Sequence, residues 1–247
     1  MLSVLIAELI TLGVFATTTS LLTAVAGLGG GMLLLALMAQ LFPPLLLIPL
    51  HGIAQFFSNA SRGVIHRAHL EWSYLRPFVL GSIAGAIAFI PLVVFVNPVL
   101  GALAVGLFIL LVTWFPKWLN VSALPFIASG ALTSGLGVLF GATGPLAMSA
   151  HPKEHWSKDQ IVGNHGAAMA FQHGIKVIVY LVAGTQLISY LPHIVVLFFG
   201  AWLGTLIGTK ILKRFSDERF KILLKWVLTL LALRLIVVNA YTLIMAT

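Results

Sequence analysis

A chain of 247 residues with 60% hydrophobic and 8% charged residues and a mean hydropathy of +1.08 is not a water-soluble globular domain, in which about a quarter of residues are charged. Its net charge of +8 does not mark a nucleic-acid binder, because the Lys and Arg sit at the ends of apolar runs, where they report membrane orientation. With no Cys, a disulfide framework, a thiolate metal site and a cysteine nucleophile are all excluded.

Eight apolar segments are predicted, at about 4–41, 44–65, 76–96, 98–116, 121–150, 160–183, 190–212 and 222–245, most of them near the ~20 residues that span a hydrocarbon core. Helix is the expected form of each, because a spanning backbone must satisfy its own hydrogen bonds and no alternating ten-residue strand pattern occurs. Met1 to Ala26 is apolar enough to mimic a signal peptide, but it lacks a basic n-region and carries Glu8, so it reads as retained. Glu8 is the one acid in an apolar segment and is a candidate proton carrier or a wet interface residue.

The first segment is interrupted by Gly27-Leu28-Gly29-Gly30-Gly31, and the fifth by Gly141-Ala142-Thr143-Gly144-Pro145. Glycine costs roughly 1 kcal/mol in a helix interior and proline about 3, so both segments are expected to be broken and re-entrant. In the second segment His51, Gln55, Asn59 and Arg62 recur at spacings of four, four and three, which places them on one helical face. In the sixth, His165, His173 and Lys176 take the matching positions, with Met169 in place of the glutamine and Asn164 and Gln172 nearby.

A polar stripe inside a membrane is expensive unless it faces a cavity or another stripe. This one is rich in donors and cations and carries no carboxylate, which favours an anion, and the glycine breaks add backbone N–H donors. Ser20, Thr23, Ser134 and Thr143 are candidate hydroxyl donors. Blander roles compete: snorkelling to headgroups for Arg62 and Lys176, and interhelix hydrogen bonding for His51, His165, Asn59 and His173.

Gly81 with Gly85 in the third segment, and Gly200, Gly204 and Gly208 in the seventh, have the small-xxx-small spacing of close helix packing. His151 and His155, with Glu154 beside them in a loop before the sixth segment, make only a weak metal pair, and no metal or cofactor is expected. Arg234 in the eighth segment has no counterpart and reads as a packing or lipid-facing residue.

The chain repeats itself. The 114-residue offset between His51 and His165 also sets Gly27 on Gly141, Gly30 on Gly144, Gly52 on Gly166, Ala54 on Ala168, Phe57 on Phe171 and Arg62 on Lys176. The expected halves are about 1–117 and 118–247 of one transmembrane transporter domain. If all eight segments crossed fully, Arg67, Arg76 and Lys117 would lie opposite Lys153, Lys158, Lys210, Lys213, Arg214, Arg219, Lys221 and Lys225, against the positive-inside rule. If the fifth segment turns back, all of them share one face, which is then cytoplasmic. Treating the first segment alike makes the halves inverted repeats with both termini periplasmic, the architecture of secondary transporters.

The runs GLGGGMLLL and PPLLLIPLHGIAQFFSNASRGVIHRAHLEW, with the weaker second copy GATGPLAMSA and IVGNHGAAMAFQHGIKVIVYL, resemble the sulfite exporter TauE/SafE family over about residues 4–240. The resemblance implies seven or eight membrane segments in two inverted halves of a bacterial inner-membrane protein. It also implies carriage of sulfite, thiosulfate, sulfoacetate or related organosulfonates. Carried over, the breaks at Gly27, Gly29, Gly30, Gly31, Gly141 and Gly144 and the lining residues His51, Gln55, Asn59 and Arg62 bound the path.

Where many members have a Gly-Thr-Ser type stretch, this chain reads His51-Gly52-Ile53-Ala54-Gln55, and a histidine there can select a differently charged anion or make transport depend on pH. The expected function is therefore a permease for small sulfur-containing anions working by alternating access. An anion channel and a carrier of an unrelated small organic anion are the alternatives. An intramembrane enzyme is disfavoured, because no GxSxG and no carboxylate beside the buried histidines is present. The expected partners are the small anion and the lipid bilayer, with a homo-oligomer left open.

Overall fold

The computed structural model describes residues 2–26, 29–95, 97–152, 155–211 and 218–245. Gly27, Leu28, Lys153, Glu154, Lys213 and Arg214, on which part of the break, metal-pair and charge readings rest, lie outside the described residues. The described residues form ten α-helices and no strand.

The first apolar segment divides into α1 (Leu2–Ala26) and α2 (Gly30–Met38), and the second is α3 (Pro44–Ile65). Then come α4 (Trp72–Phe95) and α5 (Pro98–Trp114). The fifth segment divides into α6 (Phe126–Phe140) and α7 (Gly144–Ser149), followed by α8 (Lys158–Val182), α9 (Leu191–Ile211) and α10 (Glu218–Met245).

Local chemistry sets many of these ends. Pro44 opens α3 at its first position, where the missing N–H is no loss. Asn97 caps α5, with Oδ1 accepting from the backbone N–H of Val99 and Leu100. A reciprocal capping box between Ser157 and Gln160 opens α8. The helix of the third segment begins at Trp72, earlier than its apolar run at 76, and carries Pro77 and Pro91 within it.

Four stretches are long and apolar enough to cross a membrane: Leu2–Val25, Trp72–Val93, Ile188–Lys210 and Ile222–Met245. α5 and α6 are shorter apolar helices. α3 and α8, with 22 and 25 residues, have the length at about 1.5 Å per residue but carry the polar stripes. They lie inside, with most of the stripe buried, while α1, α4, α5, α9 and α10 turn Ile10, Leu80, Ile87, Leu107, Phe199, Leu230 and Val237 outward.

The helices associate through small residues, as expected where lipid removes the hydrophobic drive between helices. α1 runs parallel to α9: a Cβ at Gly200 would press on Gly13 and Ala16, and one at Gly204 would collide with the carbonyl of Thr17. α4 runs parallel to α6 in the same way, Gly81 lying against the Ile127 carbonyl and Gly85 against that of Ala131.

α3 and α8 cross antiparallel, with Gly52 against Lys176 and Val177, and Gly63 against Ala167. α5 and α10 are also antiparallel, Gly106 meeting Ile236 while Trp114 donates Nε1–H to the Thr229 hydroxyl at 2.9 Å. Applying the 114-residue offset turns the α1–α9 pair into α6–α4 and returns α3–α8 and α5–α10 to themselves.

Candidate anion-binding site

The two breaks sit where only glycine is comfortable. Gly29, immediately before α2, has φ 95°, and Gly141, which ends α6, has φ 88°; both lie in the left-handed region that costs any L side chain. No side chain caps α2. Gly30 passes so close to α1 that a Cβ there would collide with the Thr19 carbonyl and the Thr23 hydroxyl. The chain therefore doubles back at the first break.

Between the breaks and the α3–α8 crossing lies a cavity of about 40 Å³. α3 lines it with His51, Gln55, Asn59 and Arg62, α8 with His165, Met169 and His173. Gly29, Gly31, Met32 and Thr23 close it on the side of the first break, and Ala142, Gly144 and Pro145 on the side of the second. No carboxylate is among the lining residues.

The lining is ordered by short bonds. Arg62 Nη2 donates to Asn59 Oδ1 at 2.6 Å, Asn59 Nδ2 donates to the Gln55 carbonyl at 2.7 Å, and His51 Nε2 is 2.9 Å from the Gly31 carbonyl. Gln55 Nε2 and His51 Nδ1 are buried with no hydrogen-bond partner. Buried polar atoms without partners are costly.

Of the twelve sequence-expected site residues, nine line this cavity; Gly30, Thr143 and Lys176 stand behind it. Gly30 is spent on the close approach to α1. Thr143 precedes α7 and is buried, its Oγ1 3.0 Å from where a Gly137 Cβ would stand. Lys176 donates from Nζ to the Gly141 carbonyl at 2.7 Å and lies 2.9 Å from His173 Nδ1. It thus ties the end of α6 to the stripe of α8.

The sequence reading missed Met32, Ala142 and Pro145 as lining residues. Being apolar in an apolar chain, they carry no signal beyond their neighbourhood to the glycine breaks. Thr23 lines the cavity, whereas Ser20 and Ser134 are buried but do not.

The remaining candidates lie elsewhere. Glu8 meets His193 of α9 at 3.6 Å. Arg234 is exposed on α10 and donates to Gln40 Oε1. His151 is buried, its ring 5.0 Å from that of Tyr74, 5.4 Å from Trp156 and 5.3 Å from His165. Among the described residues no group of three or more His, Asp or Glu is placed to hold a metal.

A larger open groove of about 480 Å³ runs along the outer side of α1 against Val196. Its lining is apolar apart from Thr17 and Thr18, whose hydroxyls bond back to the carbonyls of Gly13 and Val14 at 2.8 and 2.7 Å. It presents lipid-like chemistry and nothing for an anion.

A model of the family described as Sulfite exporter TauE/SafE matches residues 10–235. No curated protein and no solved structure matches significantly.

Proposed function

We propose that this chain, which belongs to the sulfite exporter TauE/SafE family, carries small sulfur-containing anions across the bacterial inner membrane by alternating access of two inverted halves. The observation that carries this reading is the cavity between the two helix breaks. It offers the Arg62 guanidinium, the Gln55 amide and three histidines, with no carboxylate to neutralise them. The anion is the missing counter-charge.

His51, Gln55, Asn59, Arg62, His165 and His173 form the contact set of this proposal, with backbone of Gly29, Gly31 and Gly144. Lys176, Gly30 and Thr143 hold the breaks in position around it. The inverted-repeat reading, with halves at about 1–117 and 118–247, is supported by α3 and α8, which are related by the repeat offset and run antiparallel.

It is further supported by a reciprocal contact. Gly52 packs on the His173–Val177 stretch, and its equivalent Gly166 packs on Asn59, Arg62 and Gly63. A re-entrant first segment accords with the turn that sets Gly30 against Thr19.

Orientation follows from charge. The α3–α4 turn meets the start of α8, where Gln160 Nε2 donates to Glu71 Oε1 at 2.7 Å, and Lys225 near the start of α10 sits 3.8 Å over the Trp114 ring at the end of α5. Arg67, Lys117, Lys158 and Lys225 thereby gather at one end, which the positive-inside rule makes cytoplasmic.

Because the chain has no Cys, this is directly measurable. In intact cells Gln186→Cys, in the α8–α9 turn, should react with a membrane-impermeant maleimide, and Lys117→Cys only after permeabilisation. The reverse labelling pattern would reject the orientation. The transport reading itself is tested by exchange of labelled sulfite, thiosulfate and sulfoacetate in proteoliposomes at equal pH. Saturable exchange of at least one is expected, and absence of all three in folded protein would end the reading.

A further inference from the structure

We propose that Nδ1 of His51 is a proton site of the transport cycle, so that one proton moves with each anion. This rests on the anion-transport reading above and deepens it. The argument begins at Gly31, whose carbonyl can only accept. His51 Nε2, 2.9 Å away, must therefore be the donor and carry a hydrogen. In a neutral imidazole the other nitrogen is then a bare lone pair, and here Nδ1 is buried with no partner at a cavity that His51 lines.

An anion oxygen cannot rest against a bare lone pair. It can rest against an Nδ1–H. The loaded site thus needs a hydrogen between His51 and the anion, whether taken from water by the ring or brought on the anion as a hydrogen oxyanion. In both cases the loaded cavity holds one proton more than the empty one.

The surroundings make the two binding events depend on each other. α8 presents His173, with ring centroids 5.8 Å from His51, then Lys176 bonded to His173, and His165 on the same cavity. α3 itself presents Arg62. α2, α5, α6 and α7 contain no titratable side chain, and α9 has His193, paired with Glu8, and Lys210 near its ends. With no carboxylate on the cavity, a proton on His51 is balanced only by the anion, and each favours the other by the reciprocity of linked binding. When the anion leaves, the proton leaves with it.

The test uses the full chain in proteoliposomes with the membrane potential clamped at zero. The probes are labelled thiosulfate and sulfoacetate, which remain dianionic near neutral pH, so that any proton moved with them is held by the protein. Exchange at equal pH is measured first, then uptake driven by an imposed pH gradient, acid outside. The wild type should accumulate probe about tenfold per pH unit, the ratio that one coupled proton sets. His51→Gln keeps an N–H for the Gly31 carbonyl but cannot bind the proton. Its exchange should fall about tenfold, lose its pH dependence and no longer respond to the gradient.

Wild-type exchange without gradient-driven accumulation would overturn the proton site and leave the transporter standing. Undiminished accumulation by His51→Gln would overturn the assignment to His51. Absence of exchange of both probes and of labelled sulfite at equal pH would remove the transport reading and this inference together. His51→Asn is the second variant should the first fold poorly, and the wild-type accumulation is decisive without either.

Discussion

Arg62→Ala should reduce anion exchange by about 100-fold or more while leaving the protein folded. Arg62 is 4% exposed, its guanidinium bonds to Asn59 and to the Ser58 carbonyl of its own helix, and it lines the cavity. Hydrogen bonds to charged groups are worth roughly 1.5–3 kcal/mol net, and a guanidinium offers an oxyanion two at once, so losing both forfeits at least two powers of ten.

A structural Arg would behave differently. Removing one partner of a buried ion pair usually destabilises by about 3–5 kcal/mol, but no carboxylate pairs with Arg62 here. Arg62→Met, which keeps the stem volume, should therefore raise or preserve the melting temperature in detergent while exchange is lost. Arg62→Lys, a point charge without the fork, should fall between wild type and Met in exchange. A variant that unfolds while residual exchange per folded molecule stays normal would mean that Arg62 is a structural bond and not an anion ligand.

Gly81→Leu should produce the largest stability loss of any single exchange of this kind in the helix packing. The Cβ alone would collide with the Ile127 carbonyl, and backbone cannot yield as the tip of a side chain can. α4 and α6 would have to part along a crossing that Gly85 and Gly130 also use, so the cost should reach the upper end of the ~1–3 kcal/mol of overpacking, or exceed it. The folded fraction after heating in detergent, read by size exclusion, should drop steeply for Gly81→Leu and not for Leu80→Ala, whose side chain is 61% exposed on the lipid side. Equal melting of Gly81→Leu and wild type would show that α4 and α6 do not pack through this glycine.

Several features of the chain are local and could be read directly. Helix-breaking depends on the residue itself, so the clusters around Gly29 and Gly141 mark the ends of α1 and α6 without knowledge of any partner. Spacing on a helix decides which side chains share a face, so His51, Gln55, Asn59 and Arg62 had to face one way once α3 was a helix. The glycines at 81, 85, 200 and 204 are contact points because small residues let two helices approach closely in lipid. Composition settled the class of molecule, and the motifs settled the family.

Other features depend on which distant segments meet, and periodicity carries no information about that. Lys176 lies on the same stripe as His165 and His173, yet the Gly141 carbonyl at the end of α6 draws its ammonium behind the cavity. His151 looked like a loop residue beside His155, but the fold of α7 back onto the start of α8 buries it against His165, and Glu8 finds His193 only because α1 lies along α9.

The membrane class, the polar face and the broken helices were thus determined by the sequence itself, through local propensity and the cost of burying polar groups in lipid. Which of the polar residues reach the cavity, and the orientation of His51 that leaves one nitrogen for a proton, were decided only by the tertiary structure. Those depend on carbonyls supplied from helices 20 or more positions away, whose approach is set by the crossing of packed backbones.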